Sequence, residues 1–200
     1  MSHELLFAFI VFITVMYITP GPNNIMVLSS GLTYGFRRTL PHIAGITIGC
    51  AFMIAAVGIG FGTVFVAYPV LQIVLKYLGS AYLIYLAVTI AMSGPPKPGA
   101  AKTSRPMTFL GAAMFQWVNV KGWVMVIGTI TAYAAIARFP WNIAIQTVLA
   151  LGLGVVSTSI WTLFGSALRP VLTSQWAMRA FNIFMAILLL ASLYPVFLEG

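Results

Sequence analysis

Hydrophobic residues along the chain form six long apolar segments, separated by short stretches that are rich in helix breakers and charge. Each segment has about twenty residues or more, which is long enough for an α-helix to cross a hydrocarbon core of about 30 Å. The pattern therefore predicts an all-α integral membrane protein with six transmembrane helices. The segments cover residues 5–33, 40–62, 69–92, 107–136, 141–166 and 178–198.

The third gap between segments is the longest, and it is the richest in proline and glycine. It divides the chain into a first three-helix repeat (1–92), a linker expected in the cytoplasm (93–106) and a second three-helix repeat (107–200). Because three is odd, the two halves must insert in opposite orientations, as in an inverted-topology repeat. A shift of one hundred positions also places the interruption at 19–21 on the polar stretch at 119–121. We therefore expect a 3+3 inverted repeat with broken first and fourth helices.

Composition supports a membrane location, because 61% of the residues are hydrophobic and only 6% are charged. A soluble domain carries about a quarter charged residues, so this chain could not cover its surface with polar groups. The net charge of +8 resides in short loops and is not interleaved with aromatic residues, which argues against a nucleic-acid partner.

Basic residues instead predict the topology. With the N-terminus outside, seven basic residues lie on the inner side and two on the outer side, as the positive-inside rule requires. Both termini are therefore expected on the periplasmic side of a bacterial inner membrane. The inner set is Arg37, Arg38, Lys97, Lys102, Arg105, Arg169 and Arg179, and the outer set is Lys76 and Arg138.

The first segment contains an interruption, which reads Thr19, Pro20, Gly21, Pro22, Asn23 and Asn24. Proline lacks an amide donor, so the two prolines free carbonyl groups one turn earlier, and the glycine allows a sharp turn. A helix that resumes near Pro22 would present the amides of Asn23, Asn24 and Ile25 without intrahelical acceptors, and these can bind a carboxylate. A simple proline kink is the alternative interpretation.

A matching polar stretch, Gln116, Asn119 and Lys121, lies in the first half of the fourth segment. An ammonium group near the centre of a bilayer is costly, so an intramembrane lysine indicates a functional site. Lys121 would neutralise a substrate carboxylate, or alternate with the substrate as counter-charge. The alternative is that its side chain extends to the membrane surface.

The acidic residues are few and exclude several kinds of chemistry. Glu4 and Glu199 are the only acids, and the chain has no aspartate. Paired-carboxylate hydrolysis and a Ser-His-Asp triad are therefore excluded. His42 is expected to cap the second helix at the membrane interface, and Cys50 to be a structural thiol. We accordingly predict neither enzyme activity nor a metal or other cofactor.

These motifs resemble those of the LysE/RhtB family of amino-acid exporters, over essentially the whole chain. The resemblance rests on "TPGPNN" at 19–24, "GITIG" at 45–49, "LKYLGSAYLIYLA" at 75–87 and "NVKG" at 119–122. The chain is most similar to the cysteine/O-acetylserine exporter branch. It departs from the family at two places. Val120 stands where the family's usual Asn-Pro-Lys motif has proline, and Ser157–Ser159 stand about where many relatives carry an acidic residue.

The resemblance implies efflux of a small amino acid across the inner membrane, coupled to the proton motive force. Since no acid is available to meet a cationic side chain, the residues favour a neutral zwitterion, cysteine/O-acetylserine-like or homoserine/threonine-like. Its carboxylate would meet the amides of 22–25 and Lys121, and its ammonium the freed carbonyls of 17–19 with Asn23 or Asn119. A passive pore and a membrane scaffold or enzyme subunit are the alternatives. Glycine pairs at 31/35, 45/49 and 58/62 predict close helix packing, and they allow a homodimer.

Overall fold

The computed structural model describes residues 2–62, 67–92, 105–172 and 174–194. Within these ranges the chain is helical and contains no strand, which confirms the all-α prediction. Short π- or 3₁₀-helical turns cover Val57–Phe61, Gln116–Val118 and Ala134–Ile136. The α-helices of the described ranges are α1 (His3–Ile18), α2 (Pro22–Tyr34), α3 (Phe36–Ala56), α4 (Pro69–Met92), α5 (Phe109–Phe115), α6 (Val120–Ala132), α7 (Trp141–Leu168) and α8 (Gln175–Ala191).

Three helical stretches of the described chain are long and apolar enough to cross a membrane unaided: Phe36–Gly60, Ile73–Met92 and Trp141–Leu168. Two further spans form if each bent pair counts as one, with α1 and α2 bent by 52° and α5 and α6 by 71°. The apolar α8 is shorter, with 17 residues. By length and composition there are thus up to five spans, and the sixth span and the 3+3 repeat stay predictions.

Large apolar side chains cover the outside of the bundle. Phe7 on α1 is 70% exposed, Phe52 on α3 62% and Tyr77 on α4 61%. A water-soluble monomer does not present apolar area on this scale, whereas a hydrocarbon solvent accommodates it without cost. The exposed residues therefore give the bundle an apolar surface that is compatible with a membrane protein, as the composition predicts.

Helix α7 occupies the middle of the bundle, where it packs against α1, α2 and α3. Helix α5 packs against α3, and α4 packs against α8. One buried cluster joins Phe9 and Ile13 of α1 to Met53 of α3 and Val126 of α6. The two broken helices are thus held around α3 and α7, and their breaks face each other inside the protein.

Two helices begin at least three residues before their predicted segments. Helix α3 begins at Phe36, four residues before the predicted start, because Gly35 takes a positive φ of 79° and the Thr39 hydroxyl donates to the Gly35 carbonyl at 2.9 Å. Pro41 lies inside this helix, in its second turn, where it removes the amide that would otherwise donate to the Arg37 carbonyl. Helix α8 begins at Gln175 because the Ser174 hydroxyl accepts from the Ala177 amide. Most of the predicted linker, and residues 195–200, lie outside the described residues.

The closest backbone contacts between helices lie on one side of the bundle. This side is formed by α2 and α5 together with the parts of α7 and α3 that pack against them. A Cβ atom at Gly31 would overlap the carbonyl oxygen of Thr162, and one at Gly165 would overlap that of Leu28. Gly45 lies equally close to the Phe109 carbonyl. The predicted close packing is thus confirmed at Gly31 and Gly45, but it occurs within the chain. These glycines therefore provide no argument for a dimer.

On the opposite side, formed by α1 and α6, the neighbours of Gly128 are side-chain atoms, and the Ser2 amide donates to the Ile136 carbonyl at 3.0 Å. Gly128 of α6 faces the ring of Phe12, and Tyr133 contacts the rings of Phe9 and Phe12 with centroids 5.4 Å apart. Contacts between side chains rearrange more readily than contacts between two backbone segments. The α1/α6 side is therefore the less tightly closed of the two.

Candidate functional site

The break between α1 and α2 leaves carbonyl groups without helical donors, and nearby side chains supply replacements. The Asn24 amide nitrogen Nδ2 donates to the carbonyl oxygens of Tyr17 at 2.6 Å and Thr19 at 2.9 Å. The Ser157 hydroxyl of α7 also donates to the Tyr17 oxygen, at 2.9 Å. Asn24 and Ser157 therefore stabilise the break, which would otherwise expose unpaired carbonyl groups to an apolar surrounding.

The sequence predicted three free amides at the start of α2, those of Asn23, Asn24 and Ile25, but Ile25 does not belong to this set. The Ile25 amide donates to the Gly21 carbonyl at 3.0 Å, so Ile25 is already in the helical pattern. Gly21 itself is extended, with φ −177°, which lets its carbonyl point along the new helix axis. The free donors are the amides of Asn23 and Asn24, because Pro22 has none and the described part of the chain offers these two no backbone acceptor.

The second break contains no proline. The chain passes from α5 through the 3₁₀ turn Gln116–Val118 to Asn119, which is extended, and α6 begins at Val120. Gly79 of α4 makes room for this turn, because a Cβ atom there would overlap the Val118 carbonyl oxygen. The indole nitrogen of Trp123 donates to the Trp117 carbonyl at 2.9 Å. The polar residues therefore mark a true break.

A pair of side-chain amides joins the two breaks. Asn23 Nδ2 donates to Gln116 Oε1 at 2.8 Å, and Gln116 Nε2 donates back to Asn23 Oδ1 at 3.1 Å. Gln116 is fully buried; its Nε2 also donates to the Ala112 carbonyl, and its Oε1 accepts from Cys50 Sγ at 3.1 Å. Residues 93 positions apart in the sequence are thus held in one network.

Lys121 crosses from α6 to the first break. Its Nζ atom donates to the Thr19 carbonyl at 2.9 Å, the Thr19 hydroxyl oxygen at 2.8 Å and the Pro20 carbonyl at 3.2 Å. The side chain passes over Gly21, where a Cβ atom would lie 2.8 Å from Lys121 Cδ. The half-buried ammonium therefore turns toward the protein, and within the described residues it is met by neutral oxygens alone.

A small cavity lies between these groups, with a volume of about 30 Å³. That is room for about two water molecules and not for an amino acid, so substrate binding requires the site to widen. Two deeply buried polar atoms beside the cavity, the hydroxyl of Tyr17 and Oδ1 of Asn119, have no hydrogen-bond partner among the described residues. The cavity extends between α1 and α6. Its lining comes from α1, α2, α3, α6 and the two breaks, and consists of Met16, Tyr17, Gly21, Pro22, Asn23, Asn24, Cys50, Asn119, Lys121, Gly122 and Met125.

All nine residues predicted for the site therefore lie together. Thr19, Pro20 and Gln116 contact the lining residues without lining the cavity themselves. Sequence reasoning named the Tyr17 carbonyl as a partner for the ammonium group and left Ser157 between helix packing and cavity lining. It missed the Tyr17 hydroxyl and the hydrogen bond from Ser157 to Tyr17, and it interpreted Cys50 as purely structural. It also placed His42 at the interface, whereas His42 is 1% exposed and its Nδ1 lies 3.0 Å from the Ser30 hydroxyl. The signal for Tyr17 was its position one turn before Pro20 and Gly21.

The arrangement offers complementary groups for a molecule that carries both charges. The amides of Asn23 and Asn24, the Tyr17 hydroxyl and Lys121 can donate to a carboxylate, while Asn119 Oδ1 can accept from an ammonium group. In the described part of the chain no cluster of metal-ligating side chains is present. The site is therefore suited to binding and release of a polar solute.

Comparison with known proteins gives a consistent result. The family model of the LysE type translocator matches residues 14–192. The "Cysteine/O-acetylserine efflux protein" of Escherichia coli O1:K1 / APEC is 32% identical, with 98% of this chain and 100% of that protein aligned. The protein of the same name from Escherichia coli strain K12 is 30% identical over the same shares. No solved structure matches.

Proposed function

Because the chain belongs to the LysE family of translocators, we propose that it is a secondary transporter that exports a small neutral amino acid across the bacterial inner membrane. Relatives named for cysteine and O-acetylserine efflux support a cysteine/O-acetylserine-like substrate. A homoserine/threonine-like substrate is the alternative. The proposed energy source is the proton motive force. The observation that carries the proposal is the polar cavity at the meeting point of the two helix breaks.

Charge decides the class of substrate. The acids of the sequence are Glu4 and Glu199, and Glu4 lies in the first turn of α1, at the opposite end of that helix from the break. A substrate with a cationic side chain would bring a second positive charge beside Lys121 without an anion to meet it, which costs several kcal/mol. A neutral zwitterion brings its own counter-charges. It therefore fits the site better than lysine or arginine.

The lining favours a short side chain. Met16 and Met125 form apolar walls on α1 and α6, and the Cys50 thiol lies beside Gln116. Methionine side chains are flexible and fill irregular gaps, so they can withdraw to admit a substrate of a few heavy atoms. The carboxylate would bind at the start of α2, where the free amides of Asn23 and Asn24 carry partial positive charge.

The unequal closure of the two sides supports alternating access. The α2/α5 side is sealed by backbone contacts at Gly31 and Gly165, while the cavity extends between α1 and α6. In the proposed topology, with both termini in the periplasm, the α1/α6 side is periplasmic. The structure would then be the state that releases substrate, and rocking of one half against the other would open the cytoplasmic side.

Uptake into inside-out vesicles tests the proposal, because export from the cell becomes accumulation in such vesicles. We expect one or a few labelled neutral amino acids to accumulate, and a pH gradient to increase the rate. Lys121→Ala and Asn23→Ala should abolish uptake although the proteins insert, and the lipid-facing control Phe7→Leu should leave it intact. Uptake by Lys121→Ala and Asn23→Ala at the parent rate would remove the proposed site.

A passive pore is the second candidate, since polar groups from two breaks could also line a continuous path. Counterflow in proteoliposomes separates the two functions. A carrier that alternates between two closed sides shows trans-stimulation by unlabelled substrate, and a pore does not. The backbone contacts that seal the α2/α5 side at Gly31 and Gly165 favour the carrier, because a continuous path would need both sides open.

A further inference from the structure

We infer that the three oxygen atoms that bind Lys121 Nζ are the ammonium subsite of the transporter, and that Lys121 occupies this subsite as an internal substitute when no substrate is bound. The inference rests on the proposed function. The sequence predicted that the substrate's ammonium group would meet carbonyl groups that the break leaves without donors. In the structure these carbonyl groups already accept hydrogen bonds from Asn24 and Lys121, so the inference replaces that prediction.

The three oxygens match the donors of one ammonium group. A protonated amine has three N–H bonds, and the Thr19 carbonyl, the Thr19 hydroxyl and the Pro20 carbonyl lie 2.8–3.2 Å from Nζ. The Thr19 hydroxyl proton is directed to the Val15 carbonyl at 2.9 Å, which leaves the hydroxyl oxygen free to accept. The first break therefore presents a ready-made acceptor set, and the residue that fills it comes from the other half of the chain.

Exchange of one ammonium group for another leaves no charged group without a hydrogen-bond or ionic partner. If a zwitterion inserts between Lys121 and the break, its ammonium group takes the three oxygens and its carboxylate pairs with the released Lys121. The same movement enlarges the cavity, because the lysine side chain now lies across Gly21 and along the cavity wall. The cavity is too small for an amino acid while Lys121 remains in place.

This exchange also explains why both charges of the substrate are needed. A simple amine could take the three oxygens, but it would leave Lys121 displaced and without an anion. Such an amine should therefore bind poorly to the parent protein. It should bind well once the lysine head group has been removed, because the acceptor set is then empty.

The test is binding of ethylammonium to purified protein in nanodiscs, followed by thermal unfolding and calorimetry. We expect Lys121→Ala and Lys121→Met to bind ethylammonium at least about tenfold more tightly than the parent, since a hydrogen-bonded ammonium site has been vacated. Lys121→Met keeps the length of the side chain and guards against a folding defect in Lys121→Ala. Tetramethylammonium, which has no N–H donor, is the matched ligand control and should bind to none of the proteins.

Adding Thr19→Val to Lys121→Ala removes one of the three acceptors and should weaken ethylammonium binding by about tenfold. Equal ethylammonium affinity in the parent and both lysine variants, or binding indifferent to Thr19→Val, would overturn the inference. A panel of neutral amino acids tested on the parent protein keeps the two proposals apart. If the parent binds no amino acid while Lys121→Ala binds ethylammonium, the subsite stands and the transport proposal fails.

Discussion

The carbonyl oxygen of Tyr17 gives a quantitative test of how the first break is stabilised. It accepts two hydrogen bonds, one from Asn24 Nδ2 at 2.6 Å and one from the Ser157 hydroxyl at 2.9 Å. Removal of either donor leaves the oxygen with the other. Removal of both leaves a buried carbonyl group without a partner. We therefore predict that Asn24→Ala and Ser157→Ala destabilise the protein more together than the sum of their separate effects.

The magnitudes follow from the hydrogen bonds that each substitution removes. A typical net hydrogen bond contributes about 1 kcal/mol, so Ser157→Ala should cost about 1 kcal/mol and Asn24→Ala, which loses bonds to Tyr17 and Thr19, about 2 kcal/mol. The Thr19 carbonyl keeps Lys121 in either case. The unpaired Tyr17 carbonyl of the double variant adds a desolvation penalty of about 1–3 kcal/mol. The expected coupling energy is therefore this penalty, about 1–3 kcal/mol.

The assay is a double-mutant cycle on the free energy of unfolding in mixed micelles. Asn24→Ala combined with Thr131→Ala is the matched control, because Thr131 makes an equivalent bond to the Ile127 carbonyl on an exposed face of α6. The control pair should be additive within about 0.3–0.5 kcal/mol. If the Asn24/Ser157 pair is also additive, the Tyr17 carbonyl is not a shared buried acceptor and the account of the break is wrong.

Three further predictions concern the rest of the site. Asn119→Leu should weaken substrate binding about tenfold while the melting temperature stays within a few degrees, because Oδ1 has no partner to lose; a large fall in the melting temperature would contradict this. Gln116→Leu should cost about 1–3 kcal/mol of unfolding free energy by orphaning the Asn23 amide. Adding Asn23→Leu should recover stability but not transport, and recovery of both would show that the amide pair has no role in transport. Gly31→Ala should destabilise the folded protein by overlap with the neighbouring helix, whereas Gly152→Ala, with open space around it, should be neutral or stabilising in thermal unfolding; equal effects of the two would contradict the packing described.

Both helix breaks could be predicted from the sequence because their causes are local. Pro20 and Pro22 cannot donate backbone hydrogen bonds, and polar side chains such as Asn119 are costly inside an apolar helix unless the backbone turns away. The direction of Lys121 could not be predicted, since it depends on how closely α6 approaches Gly21. A local pattern records where a helix must stop but not which distant group then occupies the gap.

The same limit explains the residues that were missed. Ser157 donates to a residue 140 positions earlier in the chain, and nothing in its own helix indicates that contact. His42 was expected at the interface because it follows Pro41, but α3 begins four residues earlier than predicted and carries His42 into the bundle, where Ser30 meets it.

Cys50 is the only cysteine in the sequence, and its thiol lies in the cavity wall, bonded to Gln116. The unaltered protein thus contains a single natural labelling position, beside the cavity where the two helix breaks meet. Under the proposed alternating access, membrane-impermeant alkylating reagents applied from one face or the other would report, through the rate of modification of this one sulfur, which face is open. Kinetic work on the cycle can therefore start from the native chain, without a cysteine-free background.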